Sequence, residues 1–191
     1  MTVFVDVDTQ LDFLYPAGAL YVPGAERIVA TVARLNRYAA AHGIPVISTT
    51  DAHTEDDPEF KTWPHHCVAG ATGQHKAHAT LLEPRVIIPN SACPLQIAGA
   101  RQIVVQKQTV DAFQAPNMRR VIEALGADEF FVYGVVTEVC VLHAVRGLLA
   151  LARRVTLVPD AVQALTPAGS QAALAEMQAA GAALAASSAF C

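Results

Sequence analysis

Apolar residues along this chain follow two rhythms, short and mostly apolar runs and longer stripes at helical spacing. The short runs fall at residues 3–7, 46–49, 85–88, 103–106, 129–133 and 155–158, with a weaker one at 183–186. Mostly apolar runs of strand length, bounded by turn residues, predict strands buried on both faces. The stripes fall at residues 25–41, 117–125, 138–152 and 168–180 and predict helices. The first stripe is the clearest: Ile28, Val32, Leu35 and Ala39 share one face, and Gly43 follows as a stop. Strands and helices alternate, as a mostly parallel sheet with covering helices requires. The pattern predicts one doubly wound α/β domain over residues 1–191, with about six strands and helices on both faces. Residues 50–80 break the pattern, holding most of the histidines and little periodicity. A long irregular segment inside a compact domain is usually functional.

Composition narrows the class. A hydrophobic fraction of 53% and a mean hydropathy of +0.34 fit a helix-covered sheet. No apolar run approaches the ~18 residues of a membrane span, so no membrane partner is expected. The net charge of −4 and the lack of a basic cluster argue against nucleic acid. The first strand run is not preceded by a basic segment, so a secretory leader is not expected and the cytoplasm is the expected compartment. Cys67, Cys93, Cys140 and Cys191 form no C-x-x-C pair and are expected to be separate thiols.

The candidate chemistry gathers where strands end. After the run 129–133 comes Gly134-Val135-Val136-Thr137-Glu138-Val139-Cys140-Val141. Thr137 has the chemistry of an N-cap, which would put Cys140 in the first helical turn. Free backbone N–H groups there, and the positive end of the helix dipole, favour thiolate; the alternative is a small apolar residue in a buried junction. Asp6 and Asp8 end the first run, where ligands bind in doubly wound sheets, and alternation predicts that they share a face. Asp can equally cap the loop that follows. Asp51 and His53 end the second run, and His65 and His66 follow in Trp63-Pro64-His65-His66-Cys67-Val68, with His75 and His78 nearby. Two imidazoles and a carboxylate suit a divalent transition metal with open positions. Lys107 follows the run 103–106. Such a lysine is commonly a solvated residue, with Asp111 as a bland partner; pointed inward, its charge would hold a thiolate and polarise a nearby carboxylate. Asp8, Lys107 and Cys140 together would supply base, cation and nucleophile for acyl transfer. No G-x-S-x-G elbow and no glycine-rich phosphate loop is present.

These motifs resemble the isochorismatase-like cysteine hydrolases, and among them the nicotinamidases. Asp8-Thr9-Gln10-Leu11-Asp12-Phe13 resembles an opening D-x-Q-x-D-F, and residues 16–23 are similar to the loop that follows it. Asp51-Ala52-His53 resembles D-W-H, residues 63–68 resemble W-P-x-H-C-V, and Val136-Thr137-Glu138-Val139-Cys140-Val141 resembles A-T-D-Y-C-V. The resemblance implies a catalytic triad of Asp8, Lys107 and Cys140, and one divalent metal on Asp51, His53 and His66. Zinc is the favoured ion, and iron and manganese suit the same set. It further implies a cis peptide between Val136 and Thr137, an oxyanion site on the amides of Val136 and Cys140, and a ring held between Phe13 and Trp63. The implied activity is metal-assisted hydrolysis of nicotinamide to nicotinate and ammonia. A different small amide, or a catalytically silent metal-binding protein, would be the alternatives. The partners expected are a small-molecule amide and further copies of the chain in a homo-oligomer. The sequence departs from the family pattern at Val136 for alanine, at Ala52 for tryptophan, at Ala71-Thr72-Gly73 for T-P-G, and in a shortened segment after Lys107.

Overall fold

A single parallel sheet, ordered β3-β4-β2-β1-β5-β6-β7, organises the computed structural model, which describes residues 1–190. Its strands are β1 (Thr2–Val7), β2 (Val46–Asp51), β3 (Arg85–Ile88), β4 (Gln102–Lys107), β5 (Glu129–Val135), β6 (Arg154–Gln163) and β7 (Ala183–Leu184). The count is seven rather than about six because the weak run near residue 183 forms a two-residue edge strand. The central strands β1 and β5 bury Val3, Phe4, Val5, Phe130 and Val132 almost completely. Cover on both faces explains why they read as continuous apolar runs rather than alternating ones.

The helices are α1 (Leu11–Leu14), α2 (Val29–Ala41), α3 (Met118–Leu125), α4 (Leu142–Ala150) and α5 (Pro167–Ala179). The stripe of α2 is buried, although Ile28 closes a separate 3-10 turn, Ala25–Ile28, ahead of the α-helix. Thr166 starts α5 by accepting a hydrogen bond from the Gly169 N–H at 2.9 Å, with Pro167 in the first turn. Cys67, Cys93 and Cys140 are free thiols; Cys191 lies outside the described residues.

Strand order fixes where a site can form. From β1 the chain proceeds through β2 toward β3 and β4, then returns to the other side of β1 for β5, β6 and β7. The topological switch therefore lies between β1 and β5, and the crevice at the carboxyl ends of the strands opens there. Gly134 lies beside β1 at this point with φ +121°, and a Cβ would sit 2.1 Å from the Val7 carbonyl oxygen. Only glycine fits such an approach.

Asp6 and Asp8 do not share a site, contrary to simple alternation. β1 ends at Val7, and Asp8 takes φ +49°, which turns its side chain out of the strand pattern. Asp6 enters a fully buried polar network instead, accepting from Asn36 Nδ2 and Thr9 Oγ1 at 2.8 Å each and pairing with Lys76 Nζ at 2.8 Å. Tyr133 Oη donates to Asn36 Oδ1 within the same network. Asp8 alone reaches the crevice.

Candidate active site

Three neighbouring strand ends and one helical turn converge on the crevice. Lys107 ends β4 in register with Asp51 at the end of β2, so both side chains emerge together. Lys107 Nζ lies 2.9 Å from Asp8 Oδ2 and 3.8 Å from Cys140 Sγ, and it hydrogen-bonds Asp51 Oδ1. Lys107 is 1% exposed, which excludes the solvated-surface alternative. Asp111 is not its partner: the Asp111 carboxylate accepts from the Phe113 N–H at 2.9 Å and caps the turn Ala112–Gln114. Asp8 is held from its other side by Thr49 Oγ1 at 2.6 Å.

Burial disfavours charge throughout this cluster, and the neighbours decide the outcome. Burial lifts the Asp8 carboxyl above its ordinary range; the Lys107 charge opposes that lift and Asp51 adds to it. Asp51 feels the same burial, but the Lys107 charge, with the imidazoles of His53 and His66 alongside, holds its carboxyl well below the carboxylate range. Lys107, flanked by both carboxylates, stays cationic despite burial. Burial pushes the Cys140 thiol well up; Lys107 pulls it down, while Asp8 and Asp51 push it further up. The thiolate expected at a helix start is therefore not the resting form, because desolvation and two carboxylates outweigh the dipole and the lysine.

Cys140 lies in a π-helical turn, Thr137–Val141, that runs into α4. The cap is Val136, one residue earlier than expected. Its carbonyl accepts from the N–H groups of Val139 at 3.0 Å and Val141 at 3.1 Å, and helical geometry begins at Thr137. The Thr137 hydroxyl is buried with no hydrogen-bond partner among the described residues. The cis peptide joins Val135 to Val136, not Val136 to Thr137. β5 continues through Val135, so the chain turns directly after it.

On the far side of Lys107, Asp51, His53 and His66 present one donor atom each, all within 4.8 Å of one another. Nδ1 of His53 meets Asp57 Oδ2 at 3.0 Å, and Nδ1 of His66 meets the Pro64 carbonyl oxygen at 2.7 Å. Each acceptor calls for a proton on Nδ1, so in the neutral rings the Nε2 lone pairs are free. Both Nε2 atoms face Asp51 Oδ2, at 3.8 Å and 3.7 Å. His53 Nε2 is fully buried without a partner. A buried lone pair aimed at a second lone pair and a carboxylate is a poor arrangement for a protein alone and a good one for a divalent cation. His65 is exposed and stacks on Phe60 with ring centroids 4.1 Å apart. His75 and His78 are exposed as well.

Between the two groups opens a cleft walled by Phe13, Leu20, Trp63, Val136 and Leu165, with Cys140, Asp51, His66 and Glu59 as its polar lining. Phe13 packs beside His66, with ring centroids 5.4 Å apart. Burial, with Asp51 adding to it, raises the Glu59 carboxyl. Sequence reasoning gave no role to Asp57 or Glu59. Asp-Pro-Glu at residues 57–59 is a helix-start signal, and Asp57 does cap the turn Pro58–Lys61 through the Glu59 N–H at 2.9 Å while orienting His53.

Comparison with known proteins identifies the family. The isochorismatase domain matches residues 2–83 and 94–189. N-carbamoylsarcosine amidase from an Arthrobacter species is 23% identical over 151 residues, 76% of this chain and 53% of that protein, so the chain spans about half the length of that relative. Pyrazinamidase of Pyrococcus horikoshii, solved in complex with zinc, superimposes with a TM-score of 0.81 at 25% identity, over 97% of this chain and 98% of that one. Nicotinamidase from Bacillus subtilis does so at 0.84 and 22% identity, over 96% and 98%. The chain belongs to the isochorismatase family, whose members are hydrolases.

Proposed function

We propose that residues 1–191 form a single catalytic domain, a metal-assisted cysteine amidohydrolase that converts nicotinamide to nicotinate and ammonia. The observation that carries this reading is one buried ammonium, Lys107 Nζ, touching Asp8, Cys140 and the carboxylate of Asp51 at once. In this reading Asp8, with its raised carboxyl, takes the thiol proton as Cys140 sulfur bonds to the amide carbon. The carbonyl electron pair moves onto oxygen, where the amides of Val136 and Cys140, at either end of the turn that begins at Thr137, receive it. Asp8 returns the proton to nitrogen, the C–N bond breaks, and ammonia leaves a thioester on Cys140. Asp8 then deprotonates water, which cleaves the thioester to release the acid and restore the thiol. A divalent cation on Asp51, His53 and His66, zinc by preference and iron or manganese by the same donor set, supplies when bound a Lewis-acid anchor for a ring nitrogen.

Flat apolar walls from Phe13 and Trp63 favour an aromatic amide. A second reading, a carboxylate-bearing amide of the kind named for N-carbamoylsarcosine amidase, is less well served. No lysine or arginine lines the cleft, whereas Asp51 and Glu59 do.

Ammonia release from nicotinamide, benzamide, N-carbamoylsarcosine and acetamide, with and without chelator, tests the assignment. The expected result is a preference in kcat/KM for nicotinamide over benzamide on the order of 10²-fold or more, since an unused anchoring group is costly. Chelation or His53→Ala should remove that preference. Hydrolysis of acetamide without hydrolysis of nicotinamide would keep the mechanism and discard the substrate.

Metal analysis provides a separate check. His65→Ala should retain one divalent ion per chain, whereas His66→Ala should lose it. Equal retention in both variants would eliminate the metal site.

A further inference from the structure

We propose that Gln10 and Asp12 are positioning residues for the metal-ligand set, a buried clamp that acts through the backbones of Asp51 and of Cys67, the residue after His66. The inference rests on the metal reading above and assigns the clamp side chains no contact with substrate.

The need for Gln10 follows from where β1 ends. β1 pairs with β2 as far as Val7 opposite Thr49, and Asp8 then turns away with φ +49°. The backbone of Asp51 pairs with β4 on one side but has lost its β1 partner on the other. The Gln10 side chain fills that gap. Its Oε1 accepts from the Asp51 N–H at 2.7 Å, and its Nε2 donates to the Asp51 carbonyl at 2.8 Å. The second proton of the same amide goes to the Gln74 carbonyl at 2.7 Å. One acceptor and two donors are thus matched, and only one orientation of the amide satisfies them. Gln10 is fully buried, so water does not compete for these bonds. Its own N–H donates to the Asp8 carbonyl at 2.7 Å, so a single residue sets the spacing between the Asp8 and Asp51 ends of the site.

Asp12, two residues on, does the same for the histidine segment. Its Oδ2 accepts from the Cys67 N–H at 2.7 Å and its Oδ1 from the Ala19 N–H at 2.9 Å. Cys67 holds φ +45°, an unfavourable conformation for a side-chain-bearing residue that the carboxylate helps to fix. Access for the carboxylate depends on Gly73, where a Cβ would lie 2.1 Å from the Asp12 carboxyl atoms. Neither Gln10 nor Asp12 lines the cleft. Side chains that orient ligands in this way typically change metal affinity about 10–100-fold when lost.

Zinc affinity, measured by competition with a chromophoric chelator, distinguishes a clamp from mere filling. Gln10→Met keeps the volume and removes the hydrogen bonds; Asp12→Asn replaces one acceptor with a donor facing an N–H. Both should weaken zinc binding about 10–100-fold, and saturating zinc should restore most of the parental kcat. Tyr133→Phe removes a buried hydrogen bond to Asn36, which makes no bond to Asp51 or Cys67. It should lower the melting temperatures of the metal-free and zinc-loaded protein equally, with zinc affinity unchanged. Parental zinc affinity in Gln10→Met and Asp12→Asn would overturn the clamp, and if Gln10→Met fails to fold, Asp12→Asn decides alone. Zinc binding that survives His53→Ala unchanged would overturn the metal reading itself, and the clamp with it.

Discussion

Replacing Lys107 with methionine should lower kcat by about 10²–10⁴-fold, the range associated with losing a positioned acid–base system, and should do so without a compensating change in KM. Methionine keeps the length and apolar stem of lysine but leaves Asp8 and Asp51 facing a site without its cation. Burial already raises the Asp8 carboxyl, and the Lys107 charge is the largest influence holding that lift in check. Without it, Asp8 would hold its proton and could not accept one from Cys140. The same substitution strands a buried charge, at a cost of about 3–5 kcal/mol in stability. Urea unfolding should therefore report a lower midpoint alongside the kinetic defect, while circular dichroism at low denaturant should show the native fold. A variant with parental kcat would remove Lys107 from the chemistry despite its position.

Much of this arrangement was legible because parallel sheets write themselves into sequence in a simple way. Central strands buried on both faces give unbroken apolar runs, and the polar residue that ends each run marks the ligand-binding edge. That logic marked Asp8, Asp51 and Lys107 as candidates, with Asp6 beside Asp8 and a solvated Lys107 left open, and their convergence follows from the strand order β4-β2-β1. What alternation could not reveal was a backbone change just beyond a strand. Asp8 with φ +49° leaves the pattern that Asp6 obeys, so the two carboxylates serve different networks. The junction at Cys140 was misread by one residue for a related reason: β5 extends through Val135, and Val136 rather than Thr137 accepts the first helical bonds. The thiolate expected at that turn rested on the helix dipole, a local term, whereas the state of Cys140 depends on desolvation and on two carboxylates from other strands. Gln10 and Asp12 stood within a recognised motif, yet their partners, Asp51 and Cys67, lie 41 and 55 residues away. A single sequence carries no trace of such pairings until the fold brings them together.

Cys140→Ser should fold normally and lose hydrolysis by about 10³-fold or more, equivalent to a barrier raised by about 4 kcal/mol. The argument starts from the resting thiol. Burial keeps Cys140 protonated, Lys107 works against that, and the Asp8 and Asp51 carboxylates favour the neutral thiol. Proton removal must therefore accompany attack, with Asp8 as acceptor and Lys107 neutralising the charge that develops on sulfur. Serine occupies the same space but presents a hydroxyl far more reluctant to give up its proton than a thiol, so the base that suffices for Cys140 does not suffice for it. Trapping turnover with acid and digesting the protein should place one acyl group on the peptide containing Cys140, and none on those containing Cys67 or Cys93. Cys67 is the more stringent of these controls because it is also buried, and burial with the nearby Asp51, Asp12 and Asp8 pushes its thiol up against Lys107, as happens at Cys140. Its sulfur faces the Gly73 carbonyl at 3.9 Å instead of the cleft. An adduct on Cys67, or comparable turnover in Cys140→Ser, would mean that the nucleophile is not the residue at the switch point between β1 and β5.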